Sequence, residues 1–282
     1  MSIFEAALLG LIQGITEFLP ISSTGHLTLA GKLLNLVDPA NPDHWTAFIA
    51  VIQLGTLVAV LLYFLKDIIS IIRSFLKENL SERKSFAAQS IDSRLGWLII
   101  IGTIPVVIIG LGFRHVIEGN LTKNLWVISG SLIVLAVILA IAEKTAKFKK
   151  EVKDITIKDA LVIGIAQCFA LIPGSSRSGT TITGGLFMGL TRETAARFSF
   201  LLSMPAVFAS GLLELKESIK YLHADMAVNI IIATIVAGIS GYLAIDLLLK
   251  YLRKNTTFVF VYYRIILGII ILTLLYYNII QP

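Results

Sequence analysis

Six stretches of this chain are apolar over the length that a bilayer demands: Trp45–Leu65, Leu95–Phe113, Leu125–Ala142, Arg197–Leu213, Ala227–Leu249 and Phe258–Tyr277. A helix needs roughly 20 such residues to cross the hydrocarbon core. Three of the stretches hold no charged residue, and the others hold one each, Arg197, Asp246 and Arg264. Charged residues make up 15% of the chain and hydrophobic ones 56%, whereas a water-soluble domain carries about 25% charged residues. The chain therefore reads as a single all-α polytopic membrane domain over residues 1–282. Short segments of alternating polarity are absent, which argues against a membrane barrel. Met1–Gln13 has no basic leader and no small-residue cleavage site, so it reads as mature protein.

Two further apolar regions are broken. Residues 3–36 are interrupted by Glu17–His26, and residues 157–190 by Pro173–Thr181. Each half is too short to span comfortably and suits a re-entrant helix pair. Gln13 lies seven residues before Pro20, and Gln167 six before Pro173; Ser-Ser-Thr-Gly follows the first proline and Gly-Ser-Ser-Arg-Ser-Gly the second. Three full spans separate the two regions, so they enter from opposite sides. The fold expected is six transmembrane helices plus two re-entrant pairs in an inverted-topology repeat, with the broken tips meeting near the midplane. Residues 1–113 form the first half, 114–156 a connecting span and loop, and 157–282 the second half.

The net charge of +6 has a topological meaning rather than a nucleic-acid one. The loops Lys66–Arg94, Lys144–Lys158, Arg192–Arg197 and Lys250–Lys254 carry seventeen Lys and Arg, against five on the other side. The positive-inside rule makes the first side cytoplasmic, with both termini and the first re-entrant loop outside. Cys168 is the sole cysteine, so neither an internal disulfide nor a cysteine metal cage is available.

Ionisable groups within a membrane are costly, so each is a functional candidate. Gln13 and Glu17 share one helix face. Pro20 ends that helix, and Ser22 or Ser23 caps the next, with His26 in its first turn. Glu17, Ser23 and His26 can thus converge, supplying a carboxylate, a hydroxyl and an imidazole for nucleophilic and acid/base chemistry. In the second break, Gly174 and Gly179 admit close backbone approach, and Ser175, Ser176, Ser178, Thr180 and Thr181 supply hydroxyls. Arg177 and a helix N-terminus complete an anion cradle. A structural Arg177–Glu17 ion pair is the alternative. Glu143, Glu214 and Asp246 lie near span ends and read as solvated or snorkelling. Arg264 either braces the site or snorkels. Gln53 reads as facing the bundle, and His44, His115 and His223 as exposed loop residues. No His, Cys and Asp spacing suits zinc; Glu17 could hold a divalent cation, Mg²⁺ or Ca²⁺, with phosphate oxygens.

The stretch Gln13-Gly14-Ile15-Thr16-Glu17-Phe18-Leu19-Pro20-Ile21-Ser22-Ser23-Thr24-Gly25-His26 closely resembles the first motif of the undecaprenyl-diphosphatase family, the bacitracin-resistance proteins. Pro173-Gly174-Ser175-Ser176-Arg177-Ser178-Gly179-Thr180-Thr181 resembles the second. Val51-Ile52-Gln53-Leu54-Gly55 and Ile104-Pro105 also match, and the similarity covers essentially the whole chain. The resemblance implies hydrolysis of undecaprenyl diphosphate to undecaprenyl phosphate and inorganic phosphate. That reaction recycles the lipid carrier of cell-wall synthesis and removes the species that bacitracin sequesters. It also implies an interdigitated inverted repeat in the bacterial cytoplasmic membrane, with a site open to the extracytoplasmic side. The positions matching Glu17, Ser23, His26 and Arg177 are then catalytic, and those matching Ser176 and Thr181 line the phosphate pocket; the residues of the two breaks taken with them as diphosphate-binding are Gln13, Ser22, Thr24, Gly174, Ser175 and Ser178. The first acidic position of the family motif is Glu or Gln, and here it is Gln13, so Glu17 is the sole carboxylate of that turn. Partners are the prenyl diphosphate and membrane lipid, with a homodimer left open and no nucleic acid.

The preferred chemistry is attack by Ser23, with His26 as acid/base. His26 or an activated water as nucleophile stays open, and Glu17 orients, deprotonates or holds a metal. The rival function is a flippase for undecaprenyl phosphate, since inverted repeats with broken helices are a transporter architecture. A lipid phosphatase of the acid-phosphatase type is disfavoured: it needs a distant His after the Arg, and no His lies within forty residues after Arg177.

Overall fold

The computed structural model describes residues 1–37, 42–112, 124–218 and 227–281. Its helices are α1 (Ile3–Phe18), α2 (Ser23–Leu33), α3 (Pro42–Tyr63), α4 (Leu65–Leu76), α5 (Ile91–Gly112), α6 (Leu125–Thr145), α7 (Ile157–Cys168), α8 (Arg177–Phe187), α9 (Arg192–Ser218), α10 (Ala227–Leu252) and α11 (Phe258–Tyr276). The architecture is all-α. Six of these helices, α3, α5, α6, α9, α10 and α11, are long and apolar enough to cross a membrane. They coincide with the six apolar stretches to within a few residues, except that α9 starts earlier and runs later than its stretch. The Phe113 end of the second stretch lies outside the described residues, as do His115 and His223 and the side chain of Glu214.

α1 and α7 begin alike. Ser2 and Glu5 form a reciprocal capping box, and Thr156 and Asp159 form another. Each box satisfies backbone N–H groups that the first turn leaves without partners. Both helices then stop short of a break, and α2 and α8, eleven residues each, restart the chain beyond it.

The packing interlocks the two parts of the chain. α1 lies along α10, and α7 lies along α5. α3 touches α9 and α10, while α6 pairs with α11. In lipid, helices attract mainly through close packing, so small residues mark the contacts. A Cβ on Gly10 would stand 2.3 Å from the carbonyl oxygen of Ala233 in α10. One on Gly164 would stand 2.2 Å from the carbonyl oxygen of Gly102 in α5. At both places backbone meets backbone, and no larger residue fits.

Several expectations are corrected. Lys66–Arg94 is not all loop: α4 forms within it because Leu65, Ile68, Ile69, Ile72 and Leu76 recur at helical spacing. Ile71 is buried, while Leu65, Ile69, Ile72 and Leu76 stay exposed, as suits a helix lying at a membrane surface. Glu143 is neither solvated nor snorkelling but buried. Arg192 forks onto its Oε1, and the hydroxyl of Thr257 donates to its Oε2 at 2.9 Å. The guanidinium of Arg192 also stacks 3.9 Å above the ring of Phe148. Taking one partner from such a pair costs about 3–5 kcal/mol. Asp246 is half-buried near the end of α10 and accepts from Lys250 at 2.7 Å and Tyr63 at 3.2 Å. His44 is not in a loop but in the first turns of α3, half-buried; Gln53, in the same helix, is also half-buried.

Candidate active site

The first break is built by α1 and α2. Pro20 cannot continue a helix, and the residue before it avoids helical geometry. Leu19 accordingly adopts an extended conformation at the end of α1. Ser22 then turns the chain with φ 75° and caps α2, its hydroxyl accepting from the N–H of Gly25 at 3.3 Å. At the second break, Ser176 has φ 68° and caps α8 by accepting from the N–H of Gly179 at 3.2 Å. The first residues of these helices, Ser23 and Arg177, both reach the same carboxylate, that of Glu17.

Glu17 is the meeting point. Its Oε1 takes a hydrogen bond from Arg177 Nη2 across 160 positions of sequence. Its Oε2 accepts from the Ser23 hydroxyl at 2.7 Å and from the Gln13 amide at 3.1 Å. The Ser178 hydroxyl donates to the carbonyl of Leu19 at 3.0 Å, a second tie between the breaks. Glu17, Ser23, His26 and Arg177 are half-buried and Thr24 is exposed, so these residues form the open face. A hydroxyl held on a carboxylate that is itself oriented by two further donors is the geometry of an activated nucleophile.

His26 is not bonded to Glu17 or Ser23. Its Nδ1 lies 2.6 Å from the carbonyl oxygen of Ser22, and its Nε2 lies 2.6 Å from the hydroxyl of Tyr263 in α11. Nothing in the sequence singles out Tyr263, because an aromatic residue in an apolar span carries no periodic signal of its own.

The remaining residues of the second break lie beneath this face. Gly174, Ser175, Ser176, Ser178 and Thr181 are buried, as are Gln13 and Ser22 in the first. Most of their hydroxyls serve the backbone: Thr181 donates to the carbonyl of Arg177 at 2.8 Å, and Thr180 to the same carbonyl at 3.0 Å. Ser175 Oγ is buried with no hydrogen-bond partner among the described residues, as are both polar atoms of the Gln167 side chain. Ser131 of α6, also not anticipated, donates to the carbonyl of Pro173 and fixes that turn.

Arg264 does not snorkel; it is fully buried. Its Nη2 donates to the Ser175 carbonyl at 3.0 Å, with the carbonyls of Gly174 and Ser131 at 3.5 Å, and its Nη1 lies 3.5 Å from the carbonyl of Pro20. One guanidinium thus holds backbone oxygens from both breaks, and it is paired with carbonyls rather than a carboxylate. Among the described residues, no three His, Cys, Asp or Glu side chains cluster as a metal cage. Among the described residues, Glu17 is the carboxylate at the open face, and its Oε1 is taken by Arg177.

Comparison with known proteins places these residues in context. Residues 6–270 match the family model described as bacitracin resistance protein BacA. A protein of Syntrophobacter fumaroxidans named undecaprenyl-diphosphatase is 56% identical over 268 residues, covering 95% of each chain. Proteins of the same name from Chloroherpeton thalassium and Prosthecochloris aestuarii are 50% and 49% identical, covering 98% of this chain and 97% and 98% of their own.

Proposed function

This chain belongs to the family of bacitracin resistance protein BacA, and we propose how its site performs the reaction for which its relatives are named. The chain is an undecaprenyl-diphosphatase: it hydrolyses undecaprenyl diphosphate to undecaprenyl phosphate and inorganic phosphate. The observation that carries the reading is the junction of Arg177, Glu17 and Ser23 across two breaks in apolar helices.

The terminal phosphate of the substrate docks at the open face, between the N-termini of α2 and α8, and the prenyl chain stays among the spans. Arg177 and the free N–H groups of the two helix ends neutralise the charge that spreads over the transferring phosphoryl group. Ser23 Oγ attacks the terminal phosphorus as its proton passes to Glu17, 2.7 Å away. The bridging P–O bond breaks, and its electron pair leaves with undecaprenyl phosphate. Water then splits the phosphoserine and releases inorganic phosphate. The contact with Ser23 favours Glu17 over His26 as its base, while Gln13 steadies the carboxylate. Where a divalent cation takes part, Glu17 together with phosphate oxygens is the place for it, and no step above depends on it.

The protein sits in the bacterial cytoplasmic membrane. The two breaks are read as re-entrant pairs of an inverted repeat, supported by the matching caps of α2 and α8 and by the reciprocal packing of α1 on α10 and α7 on α5. Both termini and the open face are read as extracytoplasmic, which the charge bias of the loops supports. Phosphate release by purified protein in detergent, with and without chelator, tests the reaction where transport is impossible. A protein that releases no phosphate under either condition but carries undecaprenyl phosphate across vesicles would replace this reading with the flippase one, which the paired breaks also suit.

A further inference from the structure

The ring of His26 is held at both nitrogens, and the two contacts together fix its neutral tautomer. The carbonyl oxygen of Ser22 can only accept, so Nδ1, 2.6 Å away, carries the hydrogen. In the neutral ring, Nε2 is then the lone-pair nitrogen, and the Tyr263 hydroxyl 2.6 Å away donates to it. The two rings lie almost parallel, 5.6 Å between centroids and 7° apart in plane. Tyr263 comes from α11, far from the first break in sequence, and stands at the exposed mouth of the site. Among the described residues, no other hydrogen bond to the ring is formed: Glu17 and Arg177 bond one another, and Arg264 is committed to carbonyls.

From this geometry we infer that Tyr263 serves the reaction through His26, holding the ring as the Nδ1–H tautomer and linking its Nε2, the one nitrogen left to take up a proton, to the water that splits the phosphoserine. A phenol can donate or accept. When water attacks the phosphoserine, the Tyr263 oxygen takes its proton as the phenol hydrogen passes to Nε2, and the same oxygen then accepts the new N–H bond. Both protonation states of His26 are therefore served by one fixed oxygen, and the site need not rearrange between them. Bonds to the charged ring are the stronger, so the hydroxyl supports the protonated state more than the neutral one.

The inference rests on the hydrolysis reading, and Tyr263→Phe separates the two because it keeps the ring and removes the oxygen. In detergent, with undecaprenyl diphosphate as substrate, kcat should fall about tenfold while KM stays within about twofold. The acid limb of the pH–rate profile should move to lower pH, since the protonated ring has lost its acceptor. An unchanged thermal transition shows that the variant is folded. Wild-type kcat and pH profile in Tyr263→Phe would overturn the inference, as would a loss confined to KM, which would make the phenol a substrate contact instead. A wild-type protein that releases no phosphate defeats the hydrolysis reading itself. Nitrogen-15 spectra of histidine-labelled protein read the tautomer without any turnover: the Nδ1–H form of His26 is expected, and the Nε2–H form overturns the inference.

Discussion

From Ser22 to Leu36 the backbone follows a course that it repeats from Ser176 to Leu190, each position 154 residues on. Ser22 and Ser176 cap their helices at positive φ, and Leu34 and Met188 end them with ψ near 0°. Asn35 and Gly189 then turn at positive φ, and Leu36 and Leu190 donate back to Gly31 and Gly185 at 2.8 and 3.0 Å. The side chains at the open face are nevertheless different. Ser23 stands where the second region has Arg177, His26 where it has Thr180, and Glu17 where it has Leu171. One local course, used twice, brings a hydroxyl held on a carboxylate to one tip and a cation to the other. The lesson is that a repeated backbone course sets two helix N-termini beside one carboxylate, and unequal substitution gives the two tips different chemistry.

The harshest way to break that division is to exchange its charges. The double variant Glu17→Arg with Arg177→Glu restores an ion pair but moves each charge to the wrong tip. Phosphate release should fall by about 10³-fold or more, while the thermal transition in detergent stays above that of either single variant, because the half-buried pair is rebuilt. Recovery of turnover in the exchanged protein would show that the tips are interchangeable. Arg177→Ala should lower kcat by about 10²–10³-fold; near-normal turnover would remove the anion-cradle role. Smaller effects sharpen the structural side of the comparison. Gly10→Ala and Gly164→Ala each force a methyl into a facing carbonyl and should destabilise by about 1–3 kcal/mol. Thermal unfolding should show losses of similar size at both, and a marked inequality would mean that the α1–α10 and α7–α5 contacts are not equivalent. Ser22→Ala and Ser176→Ala remove matching caps and should each cost about 1 kcal/mol in the same measurement.

How much of this was legible in the sequence depended on whether a residue's environment is local. The six spans and the two breaks follow from hydropathy and proline alone, because lipid demands long apolar helices and a proline interrupts them. The convergence of Gln13 and Glu17 follows from helical spacing, and the Ser23 contact from the turn that Pro20 imposes. Arg177 is conspicuous as a charge among serines, but its contact with Glu17 depends on packing 160 residues away. Tyr263, Ser131 and the buried position of Arg264 were hidden for the same reason: their partners are backbone carbonyls or a ring nitrogen brought in by another helix. Glu143 misled because a carboxylate near a span end usually reaches water, and Arg192 and Thr257 close over it. The helix α4 was obscured by Lys66, Asp67 and Arg73, which sit on the polar face of an amphipathic segment and make it look like a loop.

Arg264 binds carbonyl oxygens on both sides of the site with a single rigid plane. The two tips are therefore yoked. Rocking one against the other would strip a fully buried cation of its oxygens with no water to replace them. Such a centre holds its two tips as one body while a substrate comes and goes.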